Sequence, residues 1–235
     1  MLKNLLKRTA HQNWKTALLL FVLTAVVRFT AVPLGSFEPV FLTMVLYVLI
    51  TLILVKRQYW REIRLQKPSN IIYILKGIML ISIWFLGTWF FLYTIFKFSP
   101  SNWFVMTIKP VLALPTWKMQ YFPILVLGAV TISPIAEELF FRGLLLKSFE
   151  HKLSAFSANL LQAFLFGFIH LTNLGLNPFD LPLIVTMVPT ITLAGLIYGW
   201  VVQKTGSVFA GTIVHAFDNF IIFLFIFAFI IPAIG

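Results

Sequence analysis

The stretch that most constrains this chain is Ala136-Glu137-Glu138-Leu139-Phe140-Phe141-Arg142-Gly143, two carboxylates and a guanidinium in a run otherwise built of Leu, Phe, Ile and Val. At the midplane of a bilayer each such charge costs ~2.5–3.5 kcal/mol, while each Leu, Ile, Val or Phe returns only ~0.3–0.6. Three charges thus cost ~8–10 kcal/mol, against ~6 returned by the 14 Leu, Ile, Val and Phe residues between Tyr121 and Leu146. The charged side cannot face lipid. It must turn toward a protein-lined or wet cavity, which makes it a candidate functional site.

Spacing separates the two carboxylates. On a helix Glu138 and Arg142 are i,i+4 neighbours and can pair, whereas Glu137 is rotated roughly 140° from Arg142 and lacks that partner. Ser133-Pro134 reads as an N-cap followed by proline at the first helical position, which places Glu137 in or just after a first turn, where the helix dipole favours its ionised form. A charged, unpaired carboxylate in a restricted pocket is suited to act as a general base.

The bilayer is implied by composition: of 235 residues 60% are hydrophobic and only 11% charged, too apolar for a soluble domain. The net charge of +11 does not point to nucleic acid, because basic residues of membrane proteins collect in cytoplasmic loops. Cysteine is absent, which excludes disulfides, iron–sulfur clusters and Cys-ligated zinc.

Along the chain, residues 1–16 form a basic amphipathic lead-in, followed by apolar runs at about 17–34, 37–55, 71–96, 121–147, 155–171, 181–203 and 208–233. No small-residue cleavage site follows the first run, so it reads as a span rather than a signal peptide. Arg28 within it is a snorkelling or bundle-facing side chain. The connection 97–120, with Trp103, Pro110, Pro115 and Trp117, has the composition of a segment lying at the interface. The run 121–147 is one helix or two broken at Ser133-Pro134. With the N-terminus inside, twelve basic residues (Lys3, Lys7, Arg8, Lys15, Lys56, Arg57, Arg61, Arg64, Lys67, Lys147, Lys152, Lys204) face the cytoplasm and three (Lys97, Lys109, Lys118) the outside, which fixes the expected orientation. The expected fold is all-α, a polytopic transmembrane bundle of seven to eight helices. Residues 1–120 supply N-terminal helices and the interfacial segment, and 121–235 a catalytic core, within one integrated membrane domain.

Few other polar residues interrupt the apolar runs. His170 ends the fifth, with Phe166 one turn earlier on the same face; by itself it reads as a helix-end histidine at an interface. In the last run His215 and Asn219 are i,i+4, with Asp218 also within reach, and three such side chains in a membrane helix must all find partners. Gly195 and Gly199 permit close helix approach. Thr205-Gly206-Ser207 makes a tight turn and an N-cap for the final helix.

Glu137-Glu138-x-x-x-Arg142, Phe166-x-x-x-His170 and His215-x-x-x-Asn219, in this order over roughly 121–220, resemble the CAAX prenyl protease and bacteriocin-processing (CPBP) family of intramembrane endopeptidases. The resemblance implies a conical cavity within the membrane, in which Glu137 and His170 activate a water while His215 and Asn219 polarise the scissile carbonyl and stabilise its oxyanion. Arg142 would hold Glu138 and fix the helix, and Asp218 would orient His215 or a neighbouring polar group. Glu137, His170 and His215 also compose a two-His-one-carboxylate set that could hold zinc. The absence of a His-Glu-x-x-His motif and the amide beside His215 favour metal-free chemistry, with no cofactor. The expected partners are the bilayer and a peptide, lipidated or secreted protein substrate, not nucleic acid. The compact chain suggests a prokaryotic plasma-membrane member. Two other classes remain: a non-catalytic partner in bacteriocin immunity or surface-protein regulation, and a transporter, which the lack of detectable inverted repeats disfavours.

Overall fold

A computed structural model describes residues 13–31, 38–55, 60–112, 122–172 and 179–234. Among these residues the chain is all-helical, in eight rods. They are α1 (Trp14–Ala31), α2 (Glu38–Leu54), α3 (Ile72–Phe96), α4 (Trp103–Leu112), α5 (Phe122–Glu137), α6 (Ala155–Ile169), α7 (Leu181–Thr205) and α8 (Val208–Phe225). Three stretches among the described residues are long and apolar enough to cross a membrane: Ile72–Phe96, Leu181–Thr205 and Val208–Ala233. Leu42–Ile53 and Ala155–Ile169 are shorter apolar helices. Large apolar side chains are exposed along several rods, among them Leu75, Leu86 and Phe90 of α3, Val185 and Leu193 of α7 and Phe209 and Phe220 of α8. The chain is an integral membrane protein. Most of the basic lead-in, Lys56, Arg57, Pro115, Trp117 and Lys118 lie outside the described residues.

Of the two alternatives for the run 121–147, one rod is found, with no break and no helix start at Ser133-Pro134. Pro134 lies inside α5, and Glu137 is that helix's last α-helical residue. The rod then continues as a π-helical segment, Glu138–Leu146, and a final α-turn, Lys147–Glu150. Backbone angles at Glu137 and Lys147 stay helical across both junctions. Proline removes one N–H and loosens the preceding turn without ending the rod, and the wider hydrogen-bonding pattern follows within four residues of it. Glu137 is therefore in mid-rod and receives no help from a helix N-terminus.

Every residue of the π segment is buried. It is packed by α1, α2, α6, α7 and α8. From α2, Tyr47 stacks on Phe140 at 4.4 Å and meets Phe141 edge-on at 5.6 Å; from α1, Phe21 meets Phe141 at 6.2 Å. Arg28 of α1 is 1% exposed, so it faces the bundle rather than snorkelling outward. On the far side α6 and α7 approach closely because Gly195 lies against Ala163 and Phe166, where an added Cβ would sit 3.2–3.3 Å from them. In lipid such contacts, rather than water exclusion, hold helices together.

Trp103 does not anchor an interface. It is 5% exposed, stacked on Phe104 at 3.9 Å, and Phe104 meets Phe85 and Trp89 of α3. The same aromatic cluster takes in Phe225 near the end of α8, 4.5 Å from Trp89. The short α4 is thus buried in part by ring packing.

Ser207 is not a side-chain cap for α8. Its hydroxyl donates to the Gln66 carbonyl, and the Arg64 carbonyl accepts from Val208 N at 3.0 Å. The connection before α3 thus does the capping, and Arg64 is held there by Glu150 at 2.8 Å. Gly206, at φ 64°, makes the left-handed turn expected of Thr205-Gly206-Ser207.

Candidate active site

Glu138 is the hub. Its Oε1 lies 2.8 Å from Arg142 Nη1, with both side chains fully buried, and accepts from His215 Nδ1 at 3.0 Å. The i,i+4 pair is legible in the sequence; the bond to His215, 77 residues away, is not. A carboxylate accepts, so Nδ1 carries a proton, and Nε2 points to the other side of the ring. There it meets Glu137 Oε2 at 3.6 Å, beyond hydrogen-bond length. His215 is thus flanked by both carboxylates of the motif. Gly211 makes this approach possible, since a Cβ there would stand 2.6 Å from Glu138 Oε2.

Arg142 is tied down further. Its Nη2 donates to the Gly195 carbonyl at 3.1 Å, an oxygen that also accepts from Gln162 Nε2 at 3.2 Å. The guanidinium lies over the Phe166 ring at 4.4 Å and the Tyr198 ring at 5.2 Å. A cation over two aromatic rings in a dry site is stabilised by ~2 kcal/mol or more on each. These contacts fit the supporting role expected of Arg142.

Phe166 stands between the two histidines. Its ring is 4.8 Å from His170 and 5.7 Å from His215, edge-on to the latter at 87°. His170 is half-buried at the C-terminal end of α6, where its Nδ1 donates to the Phe166 carbonyl at 2.7 Å. A carbonyl only accepts, so the proton is on Nδ1 and Nε2 keeps a lone pair. Among the described residues no hydrogen bond or ion pair joins His170 to Glu137.

Asn219 and Asp218 find their hydrogen-bond partners on other helices. Asn219 does not bond His215; its Nδ2 donates to the Ala129 carbonyl of α5 at 2.8 Å, clamping α8 to α5 with one of the amide's two N–H groups. Asp218 accepts from the Tyr198 hydroxyl. Tyr198 does not stand out in the sequence. The available signal is Asp218 itself, because a carboxylate inside an apolar helix needs a donor from a neighbouring one.

A zinc ion shared by Glu137, His170 and His215 would need three donors around one point. Among the described residues no three His, Asp or Glu side chains are grouped closely enough to hold a metal. Zinc binding would require at least one of them to move.

Residues 119–221 match the family model described as type II CAAX prenyl endopeptidase, Rce1-like. Through this region, somewhat less than half of the chain, the sequence is similar to the CAAX prenyl protease (CPBP) family. The matched region contains Glu137, Glu138, Arg142, Phe166, His170, His215 and Asn219, while α1, α2, α3 and α4 lie before it. The family is a protease family, and the coarse function it supports for this chain is that of a membrane peptidase. No curated protein sequence and no solved structure matches the chain.

Proposed function

We propose that this chain is an intramembrane endopeptidase of the CPBP type that hydrolyses a peptide bond of a membrane-associated peptide or protein through water activated by Glu137 and His170. The observation that carries this reading is the unequal treatment of two adjacent buried carboxylates. Glu138 is committed to Arg142 and to His215 Nδ1, whereas Glu137, 4% exposed, makes the longer approach to His215 Nε2 and, among the described residues, no shorter hydrogen bond with a side chain. Glu137 keeps lone pairs to take a proton from water, and Nε2 of His170 is a second acceptor on the other side of Phe166. The water oxygen adds to the scissile carbonyl as its proton passes to Glu137. With both ring nitrogens protonated, His215 keeps Nδ1–H on Glu138 and donates from Nε2 to the developing oxyanion, and the second N–H of Asn219 is a further donor. Collapse of the tetrahedral intermediate returns the proton from Glu137 to the leaving amine.

No metal is needed for these steps, and zinc dependence is the alternative that elemental analysis decides. The charge asymmetry supports a cytoplasmic N-terminus, and a prokaryotic plasma membrane is the location we propose. Substrates consistent with the family are prenylated C-termini, bacteriocin precursors and other anchored or secreted peptides. A non-catalytic role in bacteriocin immunity gives no chemical reason for one chain to carry Glu137, His170, His215 and Asn219 at this spacing.

The test is membrane proteomics of cells carrying wild type or Glu137→Ala. New peptide termini should appear with wild type and vanish in the variant. Identical termini in both would overturn the proposal.

A further inference from the structure

Tyr198 is 2% exposed on α7 and lies parallel to the His215 imidazole, with ring centroids 4.5 Å apart and planes 14° from coplanar. The geometry matters because of what the other restraints on His215 leave undone. The Glu138 bond fixes one atom, Nδ1. A ring held at one atom can still swing about that contact, and the swing carries Nε2 away from Glu137. Phe166 meets the imidazole from α6 with the two ring planes nearly perpendicular, so it does not lie flat along the face of His215. A flat surface against the face of the imidazole is what stops the swing, and Tyr198 supplies it.

The plate is itself fixed. The Tyr198 hydroxyl donates to Oδ2 of Asp218, three residues beyond His215 on the same helix. Two points of one tyrosine thus register α7 against α8: the ring on His215 and the hydroxyl on Asp218. Asp218 is 2% exposed, and its other oxygen, Oδ1, has no hydrogen-bond partner among the described residues. No hydrogen bond or ion pair links Asp218 to His215 within the described residues. Among the described residues its bonded route to the imidazole runs through Tyr198, beside a direct charge interaction with His215. A buried carboxylate with a single hydroxyl donor is costly to keep in a membrane helix, and a generic packing position would be served by an apolar residue instead.

We propose that Tyr198 is a positioning residue for the peptidase reaction: its ring sets the plane of the His215 imidazole so that Nε2 is presented toward Glu137, and Asp218 sets the ring. This rests on the site being that of a peptidase, as argued above.

The experiment measures kcat and KM for detergent-purified, monodisperse protein on a quenched fluorogenic peptide built around a cleavage site mapped in the membrane proteome. Tyr198→Leu, which removes the plate, should lower kcat by about 10²-fold, the scale of a misplaced reacting group, with KM within about twofold. Tyr198→Phe, which keeps the ring and loses the hydroxyl, should recover kcat to within about tenfold of wild type. Asp218→Asn should match Tyr198→Phe, and the double variant should be no worse than either, because the two act as a unit.

Wild-type kcat in Tyr198→Leu, a change confined to KM, or additive losses in the double variant would each overturn the positioning role. Should Tyr198→Leu not fold, the cycle between Tyr198→Phe and Asp218→Asn decides alone. Glu137→Gln run beside these variants keeps the two readings apart. Its retention of cleavage overturns the peptidase mechanism; its loss of cleavage beside an undiminished Tyr198→Leu overturns only the role of Tyr198.

Discussion

The polar interior of this bundle divides into two groups of side chains that differ in how they are linked to one another. Glu138, Arg142, His215 Nδ1, Tyr198 and Asp218 form a connected set in which the Glu138 carboxylate holds two partners, the guanidinium reaches a backbone carbonyl and two rings, and the phenol bridges two helices. Glu137, His170 and Asn219 are held more sparingly, the first by a 3.6 Å approach to His215 and the other two by hydrogen bonds to backbone carbonyls. A connected buried network rigidifies its surroundings, although Glu138 Oε2, Arg142 Nε and Asp218 Oδ1 make no hydrogen bond within the described residues. The second group keeps a carboxylate, an imidazole nitrogen and an amide N–H that substrate and water can use. Chemistry needs both: reactive atoms without internal partners, and neighbours that hold them in place.

If this division is right, damage to the connected set should appear first in folding. Arg142→Ala leaves Glu138 as an uncompensated charge with both side chains at 0% exposure in the native protein. Breaking a buried pair in this way costs ~3–5 kcal/mol. The expected result is a severe fall in the yield of monodisperse protein, and Glu138→Gln should behave similarly, with His215 also deprived of its anionic acceptor. Near-normal yield and thermal midpoint for Arg142→Ala would erase the distinction between the two groups.

Damage to the other set should appear in turnover. Glu137→Gln preserves shape but cannot take a proton from water, so cleavage should fall by ~10²–10⁴ or below detection, the range for losing a general base. Thermal midpoint and yield should stay near wild type, because the substitution disturbs a 3.6 Å approach rather than a hydrogen bond. Full cleavage by this variant would reassign the base.

What the sequence reveals of this division follows from the range of each interaction. The Glu138–Arg142 pair is legible because i,i+4 spacing is a local property of one helix. The close approach of α6 and α7 at Gly195 is legible because small residues leave a mark on the pattern. The His215–Glu138 and Asn219–Ala129 bonds join positions 77 and 90 residues apart, and no periodicity encodes them. Ser133-Pro134 and Ser207 carry the local signals of helix starts, yet tertiary context prevails in both. Pro134 is absorbed by a rod that widens after it, and the Arg64 and Gln66 carbonyls take the α8 N-terminal donor and the Ser207 hydroxyl. Tyr198 is hard to find because an aromatic in a membrane helix is ordinary until its partner is known.

Asn219 tests the boundary between the groups, since its amide has two N–H groups and the bond to Ala129 uses one of them. Asn219→Ala removes that bond, a loss of ~1 kcal/mol that should lower the thermal midpoint slightly. If the other N–H meets the oxyanion, turnover should fall by ~10²–10³ as well, the effect of deleting one such donor. A variant with the small stability loss and unchanged kcat would move Asn219 into the purely structural group. The same preparation settles the role of metal. The unassisted mechanism expects active protein with far less than one zinc per chain and turnover that survives a strong chelator. Stoichiometric zinc whose removal abolishes cleavage and whose return restores it would mean that Glu137, His170 and His215 converge on an ion, and Asn219 would then no longer be needed as the oxyanion's amide donor.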